Sequence, residues 1–155
     1  MPKRVEVIGA VAFSSLGPDL RWDVSLGVTE ALKRDYGHSL PDGYDFGTPR
    51  ISDVLLSDDP EIDVVTVDPK KLKACPRLTG AYHVGTVRKY EKAFLRGDQF
   101  PPIVIDSGTR KMLVEGAHRA CAAERAEVPE IQALDVASID LEEVVRHGDK
   151  LLFRR

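Results

Sequence analysis

One turn in this chain combines residue types that suit the binding of an anion. Apolar residues 112–114 lead to Gly116, and an alanine-rich run that favours helix begins directly after it. The first amides of a helix have no partner within the helix and lie at the positive end of its dipole, so they attract phosphate. His118 and Arg119 would add side-chain donors beside those amides. The spacing therefore predicts a phosphate site, although the same residues also fit a plain turn with two solvated side chains.

Transfer of a phosphoryl group requires a base and further positive charge in addition to a phosphate site. Glu115 is the first candidate for the base and Asp106 the second, and His118 is a further candidate catalytic group. A carboxylate at position 115 is equally suited to capping the turn that follows. Four cationic side chains are candidates for neutralising charge, and the sequence does not choose among them: Arg77, Arg88, Lys89 and Arg110.

The composition indicates an ordinary globular chain. It has 155 residues, of which 43% are hydrophobic and 30% are charged, which suits one domain with its own core. The formal net charge is -3, whereas a general nucleic-acid binder is expected to be basic. A modest basic cluster between Lys70 and Lys92 keeps DNA open as a partner, but the net charge disfavours it.

No membrane, metal or disulfide is indicated by the sequence. No apolar run approaches the roughly 20 residues that span a bilayer, and the chain starts without a signal-peptide core, so we expect a cytoplasmic protein. Cys75 and Cys121 form neither a CxxC pair nor a disulfide framework, which predicts two free thiols. The four histidines, at positions 38, 83, 118 and 147, show no metal-ligand spacing.

Hydrophobic periodicity and turn residues predict alternating strands and helices. The first strand should enter the core, and Trp22 should be a packing anchor at the start of the first helix, which Asp23 or Ser25 would cap. Residues 38–49 should form a loop and residues 79–83 a polar connector. The predicted strands are 5–13, 61–68, 100–105, 110–114 and 130–136; the predicted helices are 23–36, 84–95, 117–126 and 141–146, with a helical turn at 51–56 and a final strand or tail at 150–155.

The order of elements in the middle of the chain resembles the ParB/sulfiredoxin superfamily. The resemblance covers residues 62–136 and includes a helix that ends in glycine, a Pro-Pro-Ile strand at residues 101–103, a hairpin, the Gly-x-His-Arg turn and an alanine-rich helix that leads through Val128-Pro129 to a strand. It implies a small α+β domain, with a mixed sheet and flanking helices, that binds nucleotide phosphates at the helix after the turn. Residues 1–60 would be an N-terminal strand-helix extension, 61–136 the superfamily domain, and 137–155 a C-terminal helix and strand or tail.

The superfamily contains several chemistries, which this sequence matches unequally. Sulfiredoxin-like enzymes carry a catalytic cysteine between the glycine and the histidine, where this chain has Ala117, so that activity would have to depend on Cys121. Partition proteins bind CTP and carry a DNA-binding module for which too few residues follow Val136. Free-serine kinases tend to have aspartate where this chain has Glu115, but their other acidic position has no clear match, because Arg77-Leu78-Thr79 falls there.

The sequence therefore predicts a nucleotide-binding enzyme that transfers phosphate from ATP or ADP to a small hydroxylated acceptor. CTP is a further candidate nucleotide, and Mg²⁺ could accompany the nucleotide through Glu115. The alternatives are a DNA-associated ParB-like accessory protein or nuclease of plasmid or phage type, and a fold that has lost catalysis and binds a protein. The sequence indicates neither the acceptor nor an oligomeric state. The predicted phosphate ligands are Gly116, Ala117, His118, Arg119, Arg77 and Arg88.

Overall fold

The computed structural model describes residues 5–37, 47–78 and 80–152. Five strands and five helices are formed in these ranges, together with short 3₁₀ turns. The strands are β1 (Val5–Ala12), β2 (Glu61–Val67), β3 (Ile103–Ile105), β4 (Leu113–Glu115) and β5 (Ile131–Asp135). The helices are α1 (Pro18–Tyr36), α2 (Thr48–Asp58), α3 (Ala81–Leu95), α4 (Ala117–Arg125) and α5 (Leu141–Leu152).

The strands form one mixed sheet in the order β1-β2-β5-β3-β4. The pairs β1–β2, β2–β5 and β3–β4 are antiparallel, and β5–β3 is parallel. An α+β fold with a mixed sheet and flanking helices is thereby confirmed. The sheet also takes in the N-terminal strand, and the described residues before β2 contribute to the same core as the strands of the rest of the chain.

Successive side chains of a strand point to opposite faces of a sheet, and each face here carries its own layer of helices. Val104 of β3 belongs to the core beneath α1, α2 and α5. Its neighbours Ile103 and Ile105 belong to the core beneath α3 and α4. We call these the α1/α2/α5 face and the α3/α4 face. The turn at Gly116 lies between β4 and the first residue of α4, at the edge of the second layer.

The prediction that the first strand enters the core holds only at its end, where Phe13 is fully buried and Val11 packs against the core. Strand β1 forms as expected but pairs only with β2 in the described sheet, and Val7 and Ile8 are 56% and 49% exposed. The first helix also begins earlier than predicted, at Pro18, because proline fits the first helical position, where the amide would have no partner. Trp22 therefore lies inside α1 and is 48% exposed, so its predicted role as a packing anchor is wrong.

Two further helices are longer than predicted. Helix α2 begins at Thr48, within the predicted loop; residues 38–46 of that loop lie outside the described residues. Helix α3 begins at Ala81, within the predicted connector, directly after Gly80, which adopts φ +97°. His83 is consequently a residue of the first turn of a helix, which becomes important for the site.

The C-terminal helix does not end at residue 146 as predicted. Helix α5 continues to Leu152, and Gly148 is buried inside it. The predicted last strand is therefore wrong for residues 150–152, and residues 153–155 lie outside the described part of the chain. The extension is held against α2, because His147, beyond the predicted end, contacts Ser57 and Asp58. Within the described ranges no helix is both long and apolar enough to cross a membrane.

The two cysteines are bonded to each other, so the prediction of free thiols is wrong. The disulfide joins Cys75, in the 3₁₀ turn Cys75–Arg77, to Cys121 in α4. Residues so far apart in the sequence give no local pattern from which such a pairing can be predicted; only the fold brings them together. The bond ties the segment that precedes α3 to α4.

Candidate functional site

The turn before α4 requires glycine for two independent structural reasons. Gly116 adopts φ +109°, a left-handed conformation that other residues rarely adopt. A Cβ atom at this position would also lie 2.5 Å from Cγ2 of Ile103 in the neighbouring strand. The predicted turn and helix start are thus confirmed. The close approach of β3 is sufficient to explain why this position is glycine. The glycine is therefore not in itself evidence for a ligand.

Helices α3 and α4 begin side by side. The side-chain nitrogens His83 Nδ1 and His118 Nε2 are 2.8 Å apart, and the two rings are stacked with centroids 5.0 Å apart. Further along the helices, Arg125 Nε of α4 donates to Glu91 Oε1 of α3 over 2.9 Å. Since both contacts pair early residues with early and late with late, the two helices run in the same direction.

This arrangement places two positive helix ends next to each other. Each N-terminus carries the equivalent of about half a positive charge, and neighbouring like charges are stabilised when an anion lies between them. Histidines at the same point add donors, and an imidazolium donates from both ring nitrogens. We call the first turns of α3 and α4, with His83 and His118, the paired N-termini. They are the strongest anion-binding geometry in the described part of the chain.

The sequence predicted only half of this site. Ala117 and His118 occupy the first two positions of α4, as expected. His83 was placed in a polar connector, and the pairing of its ring with His118 was not predicted. The start of α3 is difficult to predict because its first residues follow Gly80 without a side-chain cap.

Arg119 places its guanidinium beside Gly116 and the segment before β3, with Nη2 3.3 Å from where a Cβ of Gly116 would lie. Its Nη1 donates to the carbonyl oxygen of Pro101 over 2.7 Å and to that of Pro102 over 3.4 Å. Proline lacks an amide hydrogen, and the carbonyls of the Pro-Pro segment gain this cation as their donor. The side chain therefore fixes the segment that enters β3, while only the backbone amide of Arg119 belongs to the first turn of α4.

Glu115 lies next to a carboxylate of α1. It is exposed at the end of β4. Partial burial and the negative charges of Glu115 and Asp19 raise the pKa of Asp23, and the positive charge of Arg119 opposes this shift. The structure thus groups Glu115 with Asp23 and Arg119 on the side of the turn that faces α1. Asp23 was predicted only as a helix cap, so its place beside the turn was not anticipated.

The structure separates Asp106 from this group. The β3–β4 hairpin pairs Glu115 with Val104, whereas the Asp106 amide donates to Met112 at the opposite end of the hairpin. The Asp106 carboxylate is buried, and its oxygens accept hydrogen bonds from the Gly108 amide over 3.0 Å and from Arg34 Nη1 over 3.2 Å. These contacts give Asp106 a structural role in the hairpin turn.

Arg77 and Arg88, the two predicted phosphate ligands that are distant from the turn in sequence, lie at different positions relative to it. Arg77 is exposed in the 3₁₀ turn that the disulfide attaches to α4. Arg88 is exposed on α3, five residues after His83 and therefore about 7.5 Å further along the helix axis. The position of Arg77 is compatible with a ligand at the paired N-termini, while Arg88 is displaced along α3.

A second polar array connects α2 with α5. His147 Nε2 lies 3.2 Å from Ser57 Oγ, and His147 Nδ1 lies 3.2 Å from Asp58 Oδ1. The order serine, histidine, aspartate resembles that of acyl-transfer enzymes. However, Ser57 lies in the last turn of α2, where the negative end of the dipole disfavours an oxyanion. We therefore assign this array to the docking of α5 on α2.

The described residues contain no group of three or more histidine, cysteine, aspartate or glutamate side chains able to hold a metal ion. Any Mg²⁺ at the site would have to be held mainly by nucleotide phosphates and water, as is usual for this ion.

Comparison of the chain with known protein families, with characterised proteins and with solved structures finds no match. The function has to be argued from the site itself.

Proposed function

We propose that this protein binds a nucleotide through its phosphates at the paired N-termini and transfers a phosphoryl group from ATP or ADP to a small hydroxylated acceptor. The observation that carries the proposal is the contact between His83 and His118, 2.8 Å apart in the first turns of two helices that run in the same direction. One helix N-terminus is a common feature of proteins, but two that converge on a pair of histidines favour a ligand with several negative charges.

Binding would use the amides of Ala117 and His118 and the two imidazoles. A phosphate oxygen accepts from the amides at the start of α4, and the histidine pair can donate a further hydrogen bond from a ring nitrogen outside the 2.8 Å contact. Arg77 supplies additional positive charge from the segment attached by the disulfide.

Transfer would use Glu115 as the base. Its exposed carboxylate follows β4 directly before Gly116 and can accept the proton of an acceptor hydroxyl next to the phosphates. Mg²⁺ bound with the nucleotide would neutralise the charge that develops on the phosphate oxygens. Asp106 has no part in this proposal, because it lies at the other end of the hairpin.

The resemblance to the ParB/sulfiredoxin superfamily supports the proposal, because it also puts phosphates at the helix after the Gly-x-His-Arg turn. We include a cytoplasmic location, where these nucleotides are abundant. The Cys75–Cys121 bond stands against that part of the proposal, since disulfides are rare in the cytoplasm.

The test is calorimetric titration of the protein with ATP, ADP and CTP, each with and without Mg²⁺. We expect one nucleotide to bind, and His118→Ala to weaken its affinity at least about tenfold, the equivalent of one charge-assisted hydrogen bond. His147→Ala is the matched control, since it removes a partly buried histidine from the α2–α5 contact. Arg119→Ala is a poor choice here, because it also frees the Pro-Pro segment. Equal affinities of the two histidine variants would contradict the proposal.

One observation keeps DNA binding as a second candidate. Four basic side chains are exposed between β2 and α3, within a short stretch: Lys70, Lys71, Lys73 and Arg77. Binding to duplex DNA that weakens steeply with salt would favour this function, because phosphate contacts release counterions. A protein that binds nucleotide and shows no shift of duplex DNA at low salt would eliminate it.

A further inference from the structure

A cavity of about 660 Å³ opens between the start of α1 and the segment before β3, next to the turn at Gly116. The N-terminal part of the chain, which lies outside the resemblance, forms one wall. Arg119 lines this cavity and its guanidinium lies beside Gly116, so the cavity adjoins the turn at the start of α4. The side chains that decide its chemistry are Asp19, Trp22, Asp23, Tyr90, Phe100 and Arg119.

Aromatic rings form much of this cavity. Trp22 is 48% exposed although it is the only tryptophan of the chain. On the other side, Phe100 packs edge-on against Tyr90, with ring centroids 5.6 Å apart and an interplanar angle of 83°. An exposed tryptophan beside two further aromatic residues costs apolar burial, and such surfaces are typical of ligand sites.

The charges around the cavity are mainly negative. Asp19 and Asp23 are four residues apart on α1, which puts them on the same side of the helix. Glu115 adds a third carboxylate, and its negative charge contributes to the raised pKa of Asp23. Arg119 is the one cation among the lining residues, and its guanidinium already donates to two proline carbonyls. The excess of negative charge repels an anionic ligand.

We infer that this cavity binds a small organic ammonium ion that also carries a hydroxyl group. Aromatic faces attract ammonium groups, most strongly the face of tryptophan, and carboxylates pair with the same charge. A divalent metal ion fits less well, because aromatic walls provide it with no ligands. Binding of the ammonium ion does not depend on the proposed function; its further role as phosphate acceptor does.

The position of the cavity suits that role. An ammonium group bound by Trp22 and the carboxylates of Asp19 and Asp23 would leave the hydroxyl free to point to Arg119, the lining residue whose guanidinium lies beside Gly116. The hydroxyl oxygen then bonds to the terminal phosphorus, and the bond from that phosphorus to the bridging oxygen breaks. The shortened nucleotide leaves with the bonding electron pair, and the hydroxyl proton passes to Glu115.

The single tryptophan gives a direct measurement of binding. Choline is titrated while the fluorescence of Trp22 is recorded, with 3,3-dimethyl-1-butanol as the neutral molecule of the same shape. We expect a saturable change with choline and an affinity at least about tenfold lower for the neutral alcohol, in keeping with the strength of a desolvated cation–π contact. Equal responses to both molecules, or no saturable response to choline, would overturn the inference.

Variants locate the ligand. Asp23→Asn is expected to weaken choline binding by about threefold to tenfold, and Asp19→Asn, which alters an exposed side chain at little risk to folding, should act in the same direction. Glu30→Gln is the matched control, since it removes an exposed carboxylate from the same helix away from the cavity. Choline binding that is equal in all three variants would contradict the assignment to this cavity.

A second titration separates this inference from the proposed function. His118→Ala should weaken nucleotide binding at least about tenfold and keep the response of Trp22 to choline, because the histidine pair is not among the lining residues of the cavity. If choline binds and no nucleotide does, the ammonium site stands and the acceptor role falls together with the proposed function. If nucleotide binds and choline does not, only the ammonium site is refuted.

Discussion

The two faces of the sheet are packed in different ways. On the α1/α2/α5 face, the fully buried side chains are large, and they interlock three helices with the strands; among them are Phe13, Leu32, Ile51, Leu55 and Ile62. On the α3/α4 face, four alanines belong to the core: Ala74, Ala120, Ala122 and Ala133.

Small side chains allow α4 to lie close to the strands, and they bury less apolar area per residue. Two features on the α3/α4 face are specific to this close packing. Gly116 has no room for a Cβ atom beside Ile103, and the Cys75–Cys121 bond ties down the segment that leads to α3. The α1/α2/α5 face thus contains most of the large buried side chains, whereas the α3/α4 face holds the N-termini of α3 and α4 close to each other. The candidate phosphate site lies on the second.

The largest effect is expected at Gly116. Gly116→Ala imposes a left-handed conformation on a residue with a side chain and a clash with Ile103, so it should lower the free energy of unfolding by about 2–6 kcal/mol. Gly9→Ala is the control, since no atom lies within 4 Å of its added Cβ. Chemical denaturation of both variants measures the difference. A Gly116→Ala protein as stable as the Gly9→Ala protein would show that α4 is not packed closely on β3.

A somewhat smaller effect is expected from the disulfide. Removal of this cross-link in a Cys75→Ser/Cys121→Ser protein should lower the free energy of unfolding by about 2–4 kcal/mol, mainly because the unfolded chain regains freedom. Thermal unfolding of the oxidised, reduced and double-serine proteins provides the comparison. Identical melting temperatures would mean that the α3/α4 face needs no covalent support.

The sequence predicted the elements whose evidence is local. Strand β2 alternates and ends before a proline, and α4 follows a glycine with an alanine-rich run, so both were predicted nearly to the residue. The exposure of β1 was not predicted, because an apolar run gives no information on whether its strand lies at the centre or the edge of a sheet.

The candidate site depended on relations that are not local. Glu115 and Asp106 are both acidic residues next to the strands of one hairpin, and only the register of the strands separates them. The position of Arg119 in α4 does not determine where its side chain points. Its hydrogen-bond partners are carbonyl groups of a distant segment of the chain. To predict the pairing of His83 with His118, one would need to know both where α3 begins and that α3 and α4 run in the same direction.

The most direct test of the paired N-termini is an NMR titration of the ¹⁵N-labelled protein with ATP and Mg²⁺. The account predicts that the largest shifts occur at the amides of Ala117 and His118 and at the imidazoles of His83 and His118, while the imidazole of His147 is unaffected. Shifts that leave both first turns unchanged, or none at any residue, would contradict the central claim that two helix starts and their histidines form a phosphate site.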